Sequence, residues 1–187
     1  FDGVNDWIRV NHAGAYAFDF DTQSFTLAVY AKIQPSLRPD GEFCILQDRF
    51  GNNDSTYNIG GRTVNRNDLV FSVYYANNPP NPVPFETTTS VTPLLNAWHH
   101  IAMAYDAGSG IAKFYVDGVQ TGQSSRMNHP YLPNTGNTMT IGSYFSSNGI
   151  VELFFRGELD ELRIYNRTLE VCEISELANL CSVAAGT

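Results

Sequence analysis

Short segments in which apolar and polar residues alternate recur along the whole chain, separated by Gly, Asn, Asp and Pro. A two-residue period marks half-buried strands, and its recurrence predicts an all-β fold, a two-sheet antiparallel β-sandwich. In Ser24 to Ile33 the side chains of Phe25, Leu27, Val29 and Ala31 share one face, as do Leu69, Phe71, Val73 and Tyr75 in Leu69 to Tyr75. Trp98 to Asp106 is apolar on both sides, with His99, Ile101, Met103 and Tyr105 on one and Trp98, His100, Ala102 and Ala104 on the other. Weight on both faces predicts a central strand. Ala112 to Val119 runs into Asp117-Gly118, a pair that tolerates the positive φ angles of a tight hairpin. Met139 to Tyr144 and Glu158 to Tyr165 complete the predicted strands. Only Leu169 to Leu180 has helical spacing, through Leu169, Ile174, Leu177 and Leu180, which gives one short C-terminal helix with Thr168 as its N-cap.

Three polar, Gly/Asn/Pro-rich stretches, Gly51 to Asn67, Asn77 to Pro93 and Gly122 to Gly136, read as long loops. In a sandwich such loops gather at the sheet ends or curl over a face, where binding sites are built. The 187 residues are 43% apolar, enough for one sizeable core and too little for two, so residues 1–187 form a single domain. Eleven Lys and Arg against nineteen Asp and Glu leave a net charge of −8, which excludes the basic surface a nucleic acid requires. The uncharged stretch from Leu69 to Phe85 carries Pro79, Pro80, Pro82 and Pro84 and so cannot insert in a membrane as a helix. The sequence opens on Phe1 of a predicted strand with no basic-then-apolar leader, and export is not legible at that end.

Cys44, Cys172 and Cys181 lack the paired spacing of a structural zinc site. Cys44 stands in the apolar run Phe43 to Leu46 and reads as a small hydrophobe. Nine residues of continuous helix would hold Cys172 and Cys181 roughly 13 Å apart, against a bridging limit of about 7 Å. A disulfide between them requires the helix to stop before Cys181.

The opening Phe1-Asp2-Gly3-Val4-Asn5-Asp6-Trp7-Ile8 resembles the first strand of laminin-G-like, concanavalin-A-like jelly-roll domains. SFTLAVYAKI, NAWHHIAMAYD, KFYVDGVQTG and FRGELDELRIYNRTLEVCEISEL follow in the order that family has them. The resemblance implies two antiparallel sheets of jelly-roll topology, closed by strands from both chain ends. It also implies a non-catalytic lectin-like role on glycans, glycoproteins or other extracellular partners, in a module of a larger secreted or cell-surface protein that often carries one structural Ca²⁺. An adhesion or assembly domain that binds protein is the alternative from a different class. The loops from Gly51 to Pro93 are longer and richer in Pro and Asn than those of the family's simplest members.

Four constellations bear on chemistry. Because the chain ends meet in such a fold, Asp2, Asp6 and Asp160 are the candidate calcium ligands, clustered carboxylates being able to supply part of the about six to eight oxygens the ion takes. Otherwise Asp2 and Asp6 make turn hydrogen bonds around Gly3 and Asp160 is held by backbone donors. Glu158-Leu159-Asp160-Glu161 is superficially like the alternating acids of jelly-roll glucanases. The fifth position is Leu162, however, and on a regular strand Glu161 faces away from Glu158 and Asp160, so a hydrolase lacks its third acid. His99 and His100 face opposite ways on a strand and read as packed, hydrogen-bonded residues. The recognition surface falls on three polar sets: Asp48, Arg49, Asn53, Asp54 and Tyr57; Tyr75 and Asn78; and Arg126, His129, Tyr131 and Tyr144. They combine aromatic rings with side chains able to pair with sugar hydroxyls. Asn53 and Asn166 each open an N-glycosylation acceptor triplet.

Overall fold

A computed structural model describes residues 1–11, 20, 23–50, 54–64, 66–75, 83–124, 138–146 and 149–180. Strands β1 (Ile8–Asn11), β2 (Phe25–Ile33), β3 (Glu42–Phe50), β4 (Asp54–Arg62), β5 (Asp68–Tyr75) and β6 (Val83–Ser90) come first. After a single 3-10 turn at Thr92–Leu94 follow β7 (His99–Asp106), β8 (Ile111–Val116), β9 (Val119–Gln123), β10 (Thr138–Ile141), β11 (Tyr144–Phe145), β12 (Val151–Glu152), β13 (Gly157–Tyr165) and helix α1 (Val171–Leu180). A six-stranded sheet runs β1-β10-β3-β4-β5-β6, a five-stranded sheet β13-β2-β7-β8-β9, and β11-β12 form a separate hairpin. The pairs within them are antiparallel.

The alternation read from the sequence is what assembles the sandwich. Leu27, Val29, Ala31, Ile101, Met103 and Phe114 of the five-stranded sheet meet Phe43, Ile45, Tyr57, Ile59, Leu69, Phe71 and Val73 of the six-stranded sheet in one core. Phe25 is its aromatic centre: its ring stacks on Phe20 at 4.6 Å and touches Tyr57 at 5.1 Å and Tyr105 at 5.5 Å. Strand β7 is the middle strand of its sheet, as its two apolar faces predict. Its outer face, with Ala28 of β2 and Tyr115 of β8, forms a second cluster under Leu169 and Ile174. The hairpin at Asp117-Gly118 has φ of 49° and 77°.

Two of the predicted loops contain strands. Asp54–Arg62 lies within Gly51 to Asn67 and Val83–Ser90 within Asn77 to Pro93. Gly60 and Gly61 disguise β4 as a loop, yet a Cβ at Gly60 would stand 2.7 Å from the Phe43 carbonyl oxygen and one at Gly61 2.5 Å from that of Asp68. Glycine here marks close backbone approach inside a sheet. Pro84 is tolerated in β6 because that strand is the sheet's edge.

Helix α1 starts two residues later than the spacing predicts, and Thr168 is not its cap. The Thr168 hydroxyl donates to the Tyr105 carbonyl at 3.1 Å, while the Glu173 carboxylate reaches back to accept from the Glu170 N–H at 2.8 Å and takes both arms of Arg167 at 2.7 and 2.6 Å. That pairing, led by Arg167, holds the Glu173 carboxyl at about 2. At the other end Tyr30 of β2 donates its hydroxyl to the Leu177 and Ala178 carbonyls at 2.8 and 2.6 Å. Tyr30→Phe is expected to lower stability by about 1 kcal/mol and to speed amide exchange in the last turn of α1, as read by hydrogen exchange.

The N-terminal segment meets the start of β13. Phe1 and Gly157 exchange backbone hydrogen bonds, the Phe1 ring packs edge-on against Phe155 at 5.9 Å, and Asp2 bridges to Arg156. Gly142, at φ 81°, lies beneath the Phe1 ring, where any Cβ would overlap it.

Candidate functional site

The outer face of the six-stranded sheet carries a depression of about 180 Å³. Its floor comes from every second residue of three strands: Cys44 of β3, Gly60 of β4, and Val70 and Ser72 of β5. Gly60 leaves this floor bare at the centre. Glu42, Asn58 and Arg62 stand along the rim, with the Arg62 guanidinium 3.2 Å from the Glu42 carboxylate.

One wall is built by the segment around the β11-β12 hairpin, which contributes Tyr144 and Leu153. A bulge in β3 between Cys44 and Leu46 anchors that segment. The backbone groups it releases are taken up outside the ladder: Cys44 N–H donates to the Leu153 carbonyl and Gly142 N–H to that of Ile45, each at 2.8 Å. Further along, the buried Gln47 side chain accepts from the Phe145 N–H at 2.6 Å. Cys44 is 2% exposed, and burial pushes its thiol far above the ordinary range, so it lines the floor as an inert small hydrophobe. The depression therefore presents a half-buried tyrosine beside an amide, a guanidinium and a carboxylate, the kind of set that pairs with a hydroxylated ring.

Of the predicted ligand residues, Tyr144 stands in this wall. Asp48 and Tyr57 do not belong to a surface site. They are paired across β3 and β4, both are 0% exposed, and Tyr57 packs against Phe25 between the sheets. Arg49, Asp54 and Tyr75 take strand positions at one end of the six-stranded sheet, where Arg49 pairs with Thr138 and Ser55. Asn53, Asn78, Arg126, His129 and Tyr131 lie outside the described residues. Asn58, Arg62 and Glu42 were not singled out by sequence reasoning. The signal was the alternation of Tyr57 and Ile59 with Asn58, Gly60 and Arg62.

The calcium expectation fails for the residues named. Asp2 and Asp6 form a turn closed by backbone donors: Asp2 accepts from the Val4 and Asn5 N–H groups at 2.8 and 3.3 Å, and Asp6 from the Asp2 N–H at 3.0 Å. The Val4 bond, before all else, holds the Asp2 carboxyl below its usual range. Asp160 lies four residues beyond Arg156, the bridge partner of Asp2, which is roughly 13 Å of strand. It accepts from the Glu161 N–H at 2.8 Å. Among the described residues no three His, Cys, Asp or Glu side chains gather to hold a metal. The trio does not fit the ion, and Asp160→Asn is expected to leave the response of Tm to calcium and to EDTA unchanged.

The acids of β13 have other partners too. Glu158 pairs with Lys32 at 2.9 Å, and both Glu158 and Asp160 are exposed on the sheet's edge strand. The strand is not regular: one extra residue between Asp160 and Arg163 forms a bulge with Glu161 at φ 51°. His99 bonds Asp117 through Nδ1 at 2.7 Å, whereas the Nδ1 of His100 is buried without a partner among the described residues, so of these two only the first matches the hydrogen-bonded expectation. Cys172 is an exposed free thiol, and Cys181 lies outside the described residues.

A family model described as the Concanavalin A-like lectin/glucanases superfamily matches residues 2–175. The chain belongs to that superfamily. Solved structures share the fold at low identity. The botulinum neurotoxin serotype D binding domain superposes with a TM-score of 0.66 at 14% identity, over 95% of this chain and 41% of the toxin domain. This chain thus spans less than half the length of that relative. A heptameric SAP-like pentraxin from Limulus polyphemus gives 0.61 at 16% identity, over 95% of this chain and 83% of that one. The CBM40 of a Ruminococcus gnavus sialidase, bound to α2,3 sialyllactose, gives 0.66 at 11% identity, over 85% and 84%. No curated protein matches the sequence. Among the described residues no helix of this concanavalin A-like chain is long and apolar enough to cross a membrane.

Proposed function

We propose that this chain is a non-catalytic carbohydrate-binding module of an extracellular or cell-surface protein, and that the depression beside Tyr144 receives the sugar. The observation that carries the reading is the depression itself: a bare glycine floor with a tyrosine wall and an Asn58, Arg62 and Glu42 rim. A sugar ring offers an apolar face and a hydroxyl edge, and this arrangement meets both. The likeness of the fold to a sialyllactose-bound module supports the same class of ligand. The engagement of Glu158 with Lys32, and the exposure of both Glu158 and Asp160, support binding without hydrolysis. Calcium has no role in the proposal through Asp2, Asp6 or Asp160.

A glycan array on the intact chain, followed by calorimetry with its best hit, tests the reading. Arg62→Ala is expected to weaken that hit by about tenfold, the worth of a hydrogen bond from a charged donor. A blank array together with recovery of a protein partner would overturn the proposal in favour of an adhesion domain. Binding that survives Arg62→Ala at full affinity would move the site away from the depression.

A further inference from the structure

A second concavity lies on the opposite side of the sandwich, on the outer face of the five-stranded sheet. Where the chain leaves β13 and enters α1 it stands off from β7 and β8 and leaves a cleft of about 540 Å³. Ala104 and Tyr115 belong to its floor, and Leu169 and Val171 to its helix side. Tyr115 is 2% exposed, and its hydroxyl makes no hydrogen bond among the described residues. The hydroxyl itself is not sealed from solvent, and it belongs to the lining of an open cleft that a ligand can enter.

Two charges share the lining. Lys113 precedes Tyr115 by two residues on the same face of β8, roughly 7 Å along the strand, and makes no ion pair among the described residues. Lys32, the chain's other lysine, is paired with Glu158. Glu170, on the helix side, is exposed and, although Arg167 feels its charge, makes no salt bridge with Lys113 or any other cation among the described residues. The remaining acid, Asp106, is already engaged: it accepts from the Ser109 hydroxyl at 2.7 Å, the Gly108 N–H at 3.0 Å and the Ser24 hydroxyl at 3.4 Å. The one aromatic ring in the lining is the buried Tyr115, so no exposed platform is offered to a sugar.

A simple anion would meet Lys113 but also Glu170 and Asp106, and a simple cation would meet Glu170 but also Lys113. Only a molecule that carries both signs satisfies both unpaired groups. We propose that this cleft binds a small zwitterion, its anionic group held by the Lys113 ammonium and the Tyr115 hydroxyl and its cationic group by the Glu170 carboxylate.

The test titrates the intact chain with ω-amino acids from glycine to aminooctanoate and follows amide chemical shifts, with butylamine and butyrate as single-charge controls. One chain length is expected to shift the amides of Lys113, Tyr115 and Glu170 with a Kd on the order of 1 mM, while the controls do not. Lys113→Met and Glu170→Gln should each weaken that binding by about tenfold, and Tyr115→Phe, which keeps the packed ring, by about threefold. Silence of these amides to every zwitterion at about 50 mM, or an equal response to either control, overturns the proposal. Its fate is separate from that of the glycan reading, because Arg62→Ala lies on the other sheet and should leave this titration unchanged.

Discussion

Lowering the pH from 6.5 to about 4 is expected to cost the fold about 3 kcal/mol through a single residue, His100. His100 sits on the outer face of β7, 2% exposed, with its ring 5.0 Å from that of Tyr30, the residue whose hydroxyl holds the last turn of α1. Its Nδ1 has no partner among the described residues, so an added proton there would be a buried donor without an acceptor among them. Burial is the main cause that lowers its pKa to about 4; Arg163 on β13 adds to the effect and Asp117 in the β8-β9 turn opposes it. The sign follows from linkage. Between pH 6.5 and about 4 the unfolded chain binds a proton that the folded chain refuses, so stability is complete above 6.5, falls through that window and levels off below it. Urea unfolding across the window should show the slope, and His100→Phe, which keeps a ring against Tyr30, should flatten it. Aspartates held low by hydrogen bonds, such as Asp40 at about 2 beside Arg38, act at more acid pH and leave the window to the histidine. An unchanged slope in His100→Phe would show that another group carries the effect.

What the sequence disclosed, and what it hid, divides along a physical line. Strands whose apolar residues alternate without interruption, such as Ser24 to Ile33 and Trp98 to Asp106, were legible with their inward faces, because burial on one face is itself the pattern. The closure of the N-terminal segment on the last strand came from the resemblance and stands in the Phe1 to Gly157 pairing. Strands β4 and β6 were hidden, since Gly60-Gly61 and Pro84 follow turn chemistry locally and only their neighbours in the sheet explain them. The same holds for the sites. The sequence places Asp2, Asp6 and Asp160 near a shared seam, but whether carboxylates converge depends on a few residues of register, which no spacing encodes. Tyr57 is chemically apt for a sugar and is nonetheless in the core, because its strand register pairs it with the inward Val73. Tyr144 was legible as an aromatic among polar residues, whereas its partners Asn58 and Arg62 lay in a segment read as a loop.

Val70→Trp should abolish glycan binding, by about 100-fold or more, without weakening the fold. Val70 stands on the floor of the depression, directly across from Gly60 in the β4-β5 ladder, and is 9% exposed on the side away from the core. An indole there has open space to enter, because the opposite residue has no side chain. Laid over Gly60, it fills much of the about 180 Å³ that the sugar would use. Covering a strand glycine with a cross-strand aromatic also restores packing that the glycine forgoes, so Tm should hold or rise. This pairing of outcomes separates the depression from the sheet-end loops more sharply than removal of polar groups does. Loss of an Arg62 contact could act at a distance through Glu42, but a ring seated in the cavity excludes ligand only where it sits. Calorimetry with the best array hit, beside a thermal melt of the same preparation, reads both quantities. Full affinity in a stable Val70→Trp variant would remove the depression as the binding site.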